Sequence, residues 1–267
     1  MSIVECVPNF SEGKNPEFLA GLKTSLHGIE GCNLLGIEPD ADYNRTVVTI
    51  VGEPDAVVNG ALALSRFAGN FIDMTTQKGE HPRLGAIDVV PFVPVTDATM
   101  AQCITLSERY AEIIAKELNC AVYLYEDAAR AEARRNLSTI RSGEYEGLSE
   151  KLTQLEWKPD FGTDVFNPKV GGIVTGARFF LVAYNVNIAS TDVSYSKEIG
   201  EILRESGYSK KDENGKIIKV DGKPIKVPGR LQNVKGMGVL LEKYGMSQVS
   251  MNLTNFRVTP IHVALKK

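Results

Sequence analysis

Residues 45–64 read RTVVTIVGEPDAVVNGALAL. The first seven positions are dominated by β-branched residues, which pack well on a pleated surface and predict a strand over Arg45 to Val51. Glu53-Pro54 then opens a helix, because proline is tolerated at the first helical position. Val57, Val58, Ala61, Leu62 and Leu64 recur at helical spacing and form its buried side. Upstream, Ile3 to Phe10 reads as a strand. Asn15-Pro16 starts a helix with Phe18, Leu19, Leu22 and Leu26 on one stripe, and Asn33 to Glu38 is a second strand. The order strand, helix, strand, strand, helix fits a ferredoxin-like split βαβ unit, with helices over a mixed or antiparallel sheet.

Downstream, Ile87 to Val95 is an apolar strand, Met100 to Leu118 an amphipathic helix and Ala121 to Tyr125 a strand. An Ala- and Arg-rich helix is expected from about Ala128 to Ile140, followed by irregular chain from Arg141 to Gly172. So long a stretch without elements marks a binding loop or a connector. Pattern returns with a strand at Phe179 to Ile188 and a helix from Ser190 or Thr191 to about Ser206. Further strands are expected near Met246 to Leu253 and Arg257 to Leu265. The fold class is therefore α/β (α+β), with two split βαβ subdomains over residues 1–176 and 177–267. Within the second of these, Lys210 to Pro228 carries two polar turns around a short Ile/Val run and reads as a lysine-rich surface hairpin.

The chain has 267 residues and a formal net charge of -3, a balance that argues against nucleic acid as a partner. Its 43% hydrophobic and 24% charged content excludes a disordered tail, a collagen-like fibre and a coiled coil. No apolar run approaches the ~20 residues needed to span a bilayer, and residues 1–13 lack the pattern of a signal peptide. The expectation is a cytoplasmic protein without a membrane partner. The four cysteines, Cys6, Cys32, Cys103 and Cys120, are scattered and are expected to stay reduced. Only three histidines are present, which makes a histidine-based metal site improbable, so no metal is expected.

The strongest chemical feature is Gly79-Glu80-His81-Pro82-Arg83-Leu84-Gly85. Pro82 biases His81 away from helical geometry, and the flanking glycines let the chain bend. A constrained imidazole near its intrinsic pKa of about 6.5 can take and give a proton at neutral pH. The competing reading is a loop histidine bonded to backbone. A second feature is the acidic loop 38–45, EPDADYNR, whose carboxylates suit orienting a histidine or binding an amine but are also ordinary turn residues. The third is 161–172, FGTDVFNPKVGG, a glycine-punctuated loop suited to a flat ligand or to a flexible connection. There is no P-loop, no dinucleotide fingerprint and no G-x-S-x-G.

Several long stretches in order, VECVPNFSEG (4–13), NRTVVTIVG (44–52), GEHPRLGAIDVVPF (79–92), VYLYE (122–126), TGARFFLVAYNVNI (175–188) and QVSMNLTNF (248–256), resemble the formiminotransferase family, the glutamate formimidoyltransferases. The resemblance implies two α/β subdomains with a folate tunnel between them, and a homodimer. It also implies transfer of a formimino group between N-formimino-L-glutamate and tetrahydrofolate, the latter as co-substrate. The family's essential histidine falls on His81. Its folate-contacting loop falls on Gly162, Thr163, Asp164, Val165, Phe166, Asn167, Pro168, Lys169, Val170 and Gly171. Asp40 is the expected carboxylate assistant. Asp42, Asn44, Arg45, Arg83 and Arg178 are the expected substrate-binding set, with the arginines suited to a glutamate carboxylate.

Two departures accompany the resemblance. The lysine-rich excursion looks longer than in the animal enzymes, and the chain stops about one helix and strand earlier than relatives usually do. A formyl-group transferase on the same scaffold and a non-catalytic folate-binding homologue remain alternatives at the level of sequence.

Overall fold

The computed structural model describes residues 2–267. The chain divides into two compact units, one ending at Arg178 and the other running from Phe179 to Lys267.

The first unit is built on a seven-stranded mixed sheet. In chain order its elements are β1 (Ile3–Cys6), β2 (Asn9–Phe10), α1 (Pro16–Ser25), β3 (Cys32–Asp40), β4 (Arg45–Gly52), α2 (Pro54–Phe71), β5 (Ile87–Thr96), α3 (Met100–Leu118), β6 (Ala121–Glu126), α4 (Leu137–Ile140), α5 (Glu144–Lys151) and β7 (Gly172–Ala177). β3 and β4 form an antiparallel hairpin, β4 pairs with β1 and β2, both of these pair with β5, and β5, β7 and β6 run parallel. The helices start where the sequence dictates. Asn15 accepts the amides of Glu17 and Phe18 at the head of α1, and Thr99 accepts the amide of Gln102 at the head of α3. Left-handed Asn119 ends α3.

The two faces of this sheet differ in character. Val4, Cys6, Val48, Ile50, Ile87 and Phe92 point to the side on which α1, α2 and α3 bury their apolar stripes. On the other side, Val89, Tyr123, Tyr125 and Val174 are roofed by Ile140, Leu148 and Leu152 from α4, α5 and the residue after it. That second cover reaches only part of the sheet. Glu5 on β1 and Arg45, Val47, Thr49 and Val51 on β4 remain half-exposed.

The sequence expectation of a continuous helix from Ala128 to Ile140 is not met. Glu132–Arg134 form a single 3-10 turn and α4 begins anew after Asn136, whose side chain accepts the amide of Ser138. Arg134 and Arg135 are engaged instead with Asp160 and Asp127, at 3.0 and 2.8 Å, and these contacts outweigh the weak per-residue helix preference. The segment expected to be irregular from Arg141 holds α5 and a 3-10 turn at Leu155–Trp157.

The second unit carries a three-stranded antiparallel sheet in the order β13 (Val234–Leu241), β14 (Met246–Leu253), β8 (Val182–Ile188). One helix, α6 (Val193–Leu203), packs on it above a core of Leu203, Leu231, Val249, Met251 and Leu253. Asp192 caps α6 through the amide of Ser194. The lysine-rich excursion forms two miniature ladders. β9 (Tyr208–Ser209) pairs with β12 (Lys226–Val227), and β10 (Lys219–Val220) pairs with β11 (Lys223–Pro224). The inner turn is Asp221-Gly222, both residues at positive φ, as a type I′ hairpin requires.

One expectation for this unit is corrected. Arg257 to Leu265 is not a strand. Residues 255–260 turn, and Pro260 leads into the short helix α7 (Ile261–Leu265), which carries His262 exposed to solvent and Ala264 buried. The strand that completes the sheet is instead β13.

Candidate active site

Each half of the His81 loop is held by a different neighbour. The amide of His81 donates to the carbonyl of Tyr43 at 3.4 Å, and the Tyr43 ring stands edge-on to the imidazole with centroids 6.4 Å apart. Asn44 sits at φ +50° and is buried. Its Oδ1 accepts the amide of Gly13 at 2.9 Å and its Nδ2 donates to the carbonyl of Lys78 at 2.7 Å. A single asparagine thus ties three loops together, and its amide is spent on that work.

Three residues past the histidine, the amide of Leu84 donates to Asp88 at 3.0 Å. Asp88 is almost wholly buried and also receives Arg141, through Nε at 3.1 Å and through Nη2. Neither Asp88 nor Arg141 stood out in the sequence. Asp88 lies inside the apolar run Ile87 to Val93, where a carboxylate is out of character, and that was the available signal.

His81 itself is half-buried. Burial pushes its imidazole down to about 4. Asp88 opposes this, while the cations of Arg141 and Arg45 reinforce it. At neutral pH the ring is an uncharged proton acceptor.

Arg45 lies at the start of β4. Its Nε is buried without a hydrogen-bond partner, and burial lowers its pKa against the pull of Asp40. Asp40, paired with Arg45 across the hairpin, accepts the amides of Asp42 and Tyr43 at 3.0 and 2.9 Å, so one of its oxygens shapes the turn. Asp42 is exposed on that turn.

Arg83 faces another way. The residue is 7% exposed, and its guanidinium donates to Gln77, Glu144 and Glu146 at 2.8–3.1 Å. Burial works against its charge, and the two glutamates overcome it and hold it protonated. With its donors so engaged, Arg83 clamps α5 to the histidine loop. Arg178 follows β7; its amide donates to Phe92, and its side chain acts on Glu5 and bonds Tyr125. It thus belongs to the open sheet face rather than to the histidine loop.

The 162–171 segment is braced along its length. Gly162 and Gly171 both have positive φ. Thr163 Oγ1 accepts the amide of Val165, and Asp164 and Val165 are exposed. Phe166 packs against Tyr145 at 5.5 Å. Asn167 donates to the carbonyls of Leu118 and Asn119, and Lys169 donates to Asn70. Pro168 accepts the hydroxyl of Tyr145. The segment meets the histidine loop directly, through Ala86 N–H to the carbonyl of Val170 at 2.8 Å and a bridge between Gly85 and Gly171.

Among the described residues, no group of three or more His, Cys, Asp or Glu side chains is arranged to hold a metal ion. No helix among them is long and apolar enough to cross a membrane.

Residues 3–178 match the formiminotransferase domain, N-terminal subdomain, and residues 183–267 match the formiminotransferase domain. A glutamate formimidoyltransferase of Streptococcus pyogenes serotype M1 is 40% identical over 95% of this chain and 78% of its own length. One of Thermoplasma acidophilum is 38% identical over 99% of this chain and 80% of its own. The mouse formimidoyltransferase-cyclodeaminase is 44% identical over 99% of this chain, which spans only 46% of that relative, about half its length. With both units matched in order, the chain belongs to the formiminotransferase family.

Proposed function

We propose that this chain transfers a formimino group between N-formimino-L-glutamate and tetrahydrofolate, with His81 moving the proton. The observation that carries this reading is an uncharged, half-buried imidazole on a loop bonded directly to the 162–171 segment. That juxtaposition supports a folate seated along residues 162–171 with its reacting nitrogen near His81. In the folate-forming direction, N5 of tetrahydrofolate attacks the formimino carbon. His81 takes the N5 proton and then returns it to the departing glutamate nitrogen, a role worth ~10²–10⁴-fold in rate. A free base at neutral pH suits the first of these steps.

Arg45 is the arginine we assign to the glutamate carboxylate, because its side chain stays half-exposed whereas Arg83 is buried and engaged by three acceptors. Asp40 keeps Arg45 charged, and its outer carboxylate oxygen is available to a cationic formimino carbon. Holding two substrates together supplies much of the remaining acceleration. The reading extends to a homodimer in the cytoplasm.

A donor panel tests it. Tetrahydrofolate is offered formiminoglutamate, formylglutamate and 10-formyl donors in turn, and folate products are followed spectrophotometrically. Product from formiminoglutamate alone supports the proposal. Product from a formyl donor alone, or tetrahydrofolate binding with no product from any donor, rejects it.

A further inference from the structure

An ion pair that no role above requires adjoins the His81 loop through the Leu84 amide. Asp88 and Arg141 are 53 positions apart in sequence, on β5 and just after α4. The pair is well shielded, with side-chain exposures of 2% and 16%. Arg141 is itself pinned. Lys151, 8% exposed at the end of α5, donates to the carbonyls of Ile140 and Ser142, the residues on either side of Arg141. The ammonium rests over the Trp157 ring, 4.4 Å from its centroid. Placing a buried lysine on two carbonyls with no carboxylate is costly, and here it holds the backbone on either side of Arg141.

We infer that Asp88 and Arg141 are positioning residues for His81. Asp88 tethers the histidine loop through the Leu84 amide, and Arg141, pinned by Lys151, cancels the Asp88 charge so that the buried carboxylate does not draw a proton onto the imidazole. The inference rests on the proposed role of His81, and it concerns a property of the ring that is measurable without turnover. The charged groups acting on His81 are Asp88 from β5, Arg141 from the segment after α4 and Arg45 from β4; the Pro82 backbone also bonds the ring. Removing either member of the pair should therefore move His81 in opposite directions. A pair acting through packing alone would disturb it in one direction or not at all, and would not be restored by a lysine at position 141.

The experiment is an NMR titration of the imidazole C–H signals in the full chain. His27 and His262 are both exposed, and the His81 signal is assigned by its absence in His81→Gln. Arg141→Met should raise the His81 midpoint by about one pH unit or more, Asp88→Asn should lower it, and Arg141→Lys should return it close to the parent value. If the chain transfers formimino groups, the acid limb of kcat/KM should follow the same order. Shifts of the same sign in the two variants would overturn the inference, as would an unmoved midpoint in folded Arg141→Met or no restoration by lysine. Should Asp88→Asn fail to fold, the Met and Lys variants decide between them. Should the parent chain prove inactive, the titration still stands, so failure of the transferase reading is separable from failure of this one.

Discussion

The amide of Ala86 donates to the carbonyl of Val170 at 2.8 Å, so the loop bearing His81 and the loop leading into β7 form one structural piece. Anything bound along residues 162–171 is thereby held in fixed relation to the imidazole. Most of the effect of positioning in a two-substrate reaction depends on such fixed relations.

Gly171 is where this junction is tightest. It has φ +73°, and a Cβ added there would lie 2.5 Å from the carbonyl of Leu84 and 2.8 Å from the Cα of Gly85. Gly171→Ala should cost about 1–3 kcal/mol of stability and weaken tetrahydrofolate binding. Urea denaturation and equilibrium binding check the two effects. A variant with parent stability and affinity would show that the junction tolerates movement.

Asn44 is predicted to matter through stability. Asn44→Ala removes hydrogen bonds to Gly13 and Lys78 and puts alanine, which tolerates the left-handed region less well than asparagine, at φ +50°, for a loss of about 2 kcal/mol. Asn44→Gly loses the same bonds but suits that backbone, so it should be the less destabilised of the two. The ranking is read from urea midpoints, and the reverse order would contradict this account of the position.

The depressed His81 pKa has a thermodynamic signature. The folded ring titrates at about 4 and the unfolded one near its ordinary value, about 6.5. Between these values the unfolded chain binds more protons, so stability is complete above pH 6.5 and is lost as pH falls toward 4. Denaturation of the parent and of His81→Gln at pH 4.5, 5.5, 6.5 and 7.5 should show a shallower acid-side loss in the variant. Parallel curves would mean that the imidazole is not shielded.

The elements that were legible in the sequence are those whose local signals agree. Met100 to Leu118 combines a threonine cap, a helical apolar stripe and an asparagine stop, and it forms a helix over those same residues. β13 was hidden because Gly236 and Gly238 interrupt its pattern. Those glycines are demanded by the neighbour, since a Cβ at Gly238 would run into the Lys197 amide and one at Gly236 would lie 2.8 Å from the carbonyl of Gly200, both on α6. The β-branched content of Arg257 to Leu265 pointed to a strand, whereas Pro260 and the burial of Ala264 settle on a helix.

At the site, the histidine loop announced itself through its glycine and proline punctuation. The Asp88–Arg141 pair did not, because no spacing rule joins residues brought together only by the roof over the sheet. For Arg83 and Asn44 the sequence supplied the residue type, and the fold adds contacts to Glu144, Glu146, Gly13 and Lys78 that no spacing shows.

The proposed reaction turns on His81 carrying the proton in formimino transfer. Steady-state turnover of formiminoglutamate with tetrahydrofolate, measured for the parent chain and for His81→Gln beside tetrahydrofolate affinity, tests it most directly. The parent should turn over, and the variant should keep nearly unchanged affinity while kcat falls by ~10²–10⁴-fold. Near-parent kcat in a folded His81→Gln chain would contradict it.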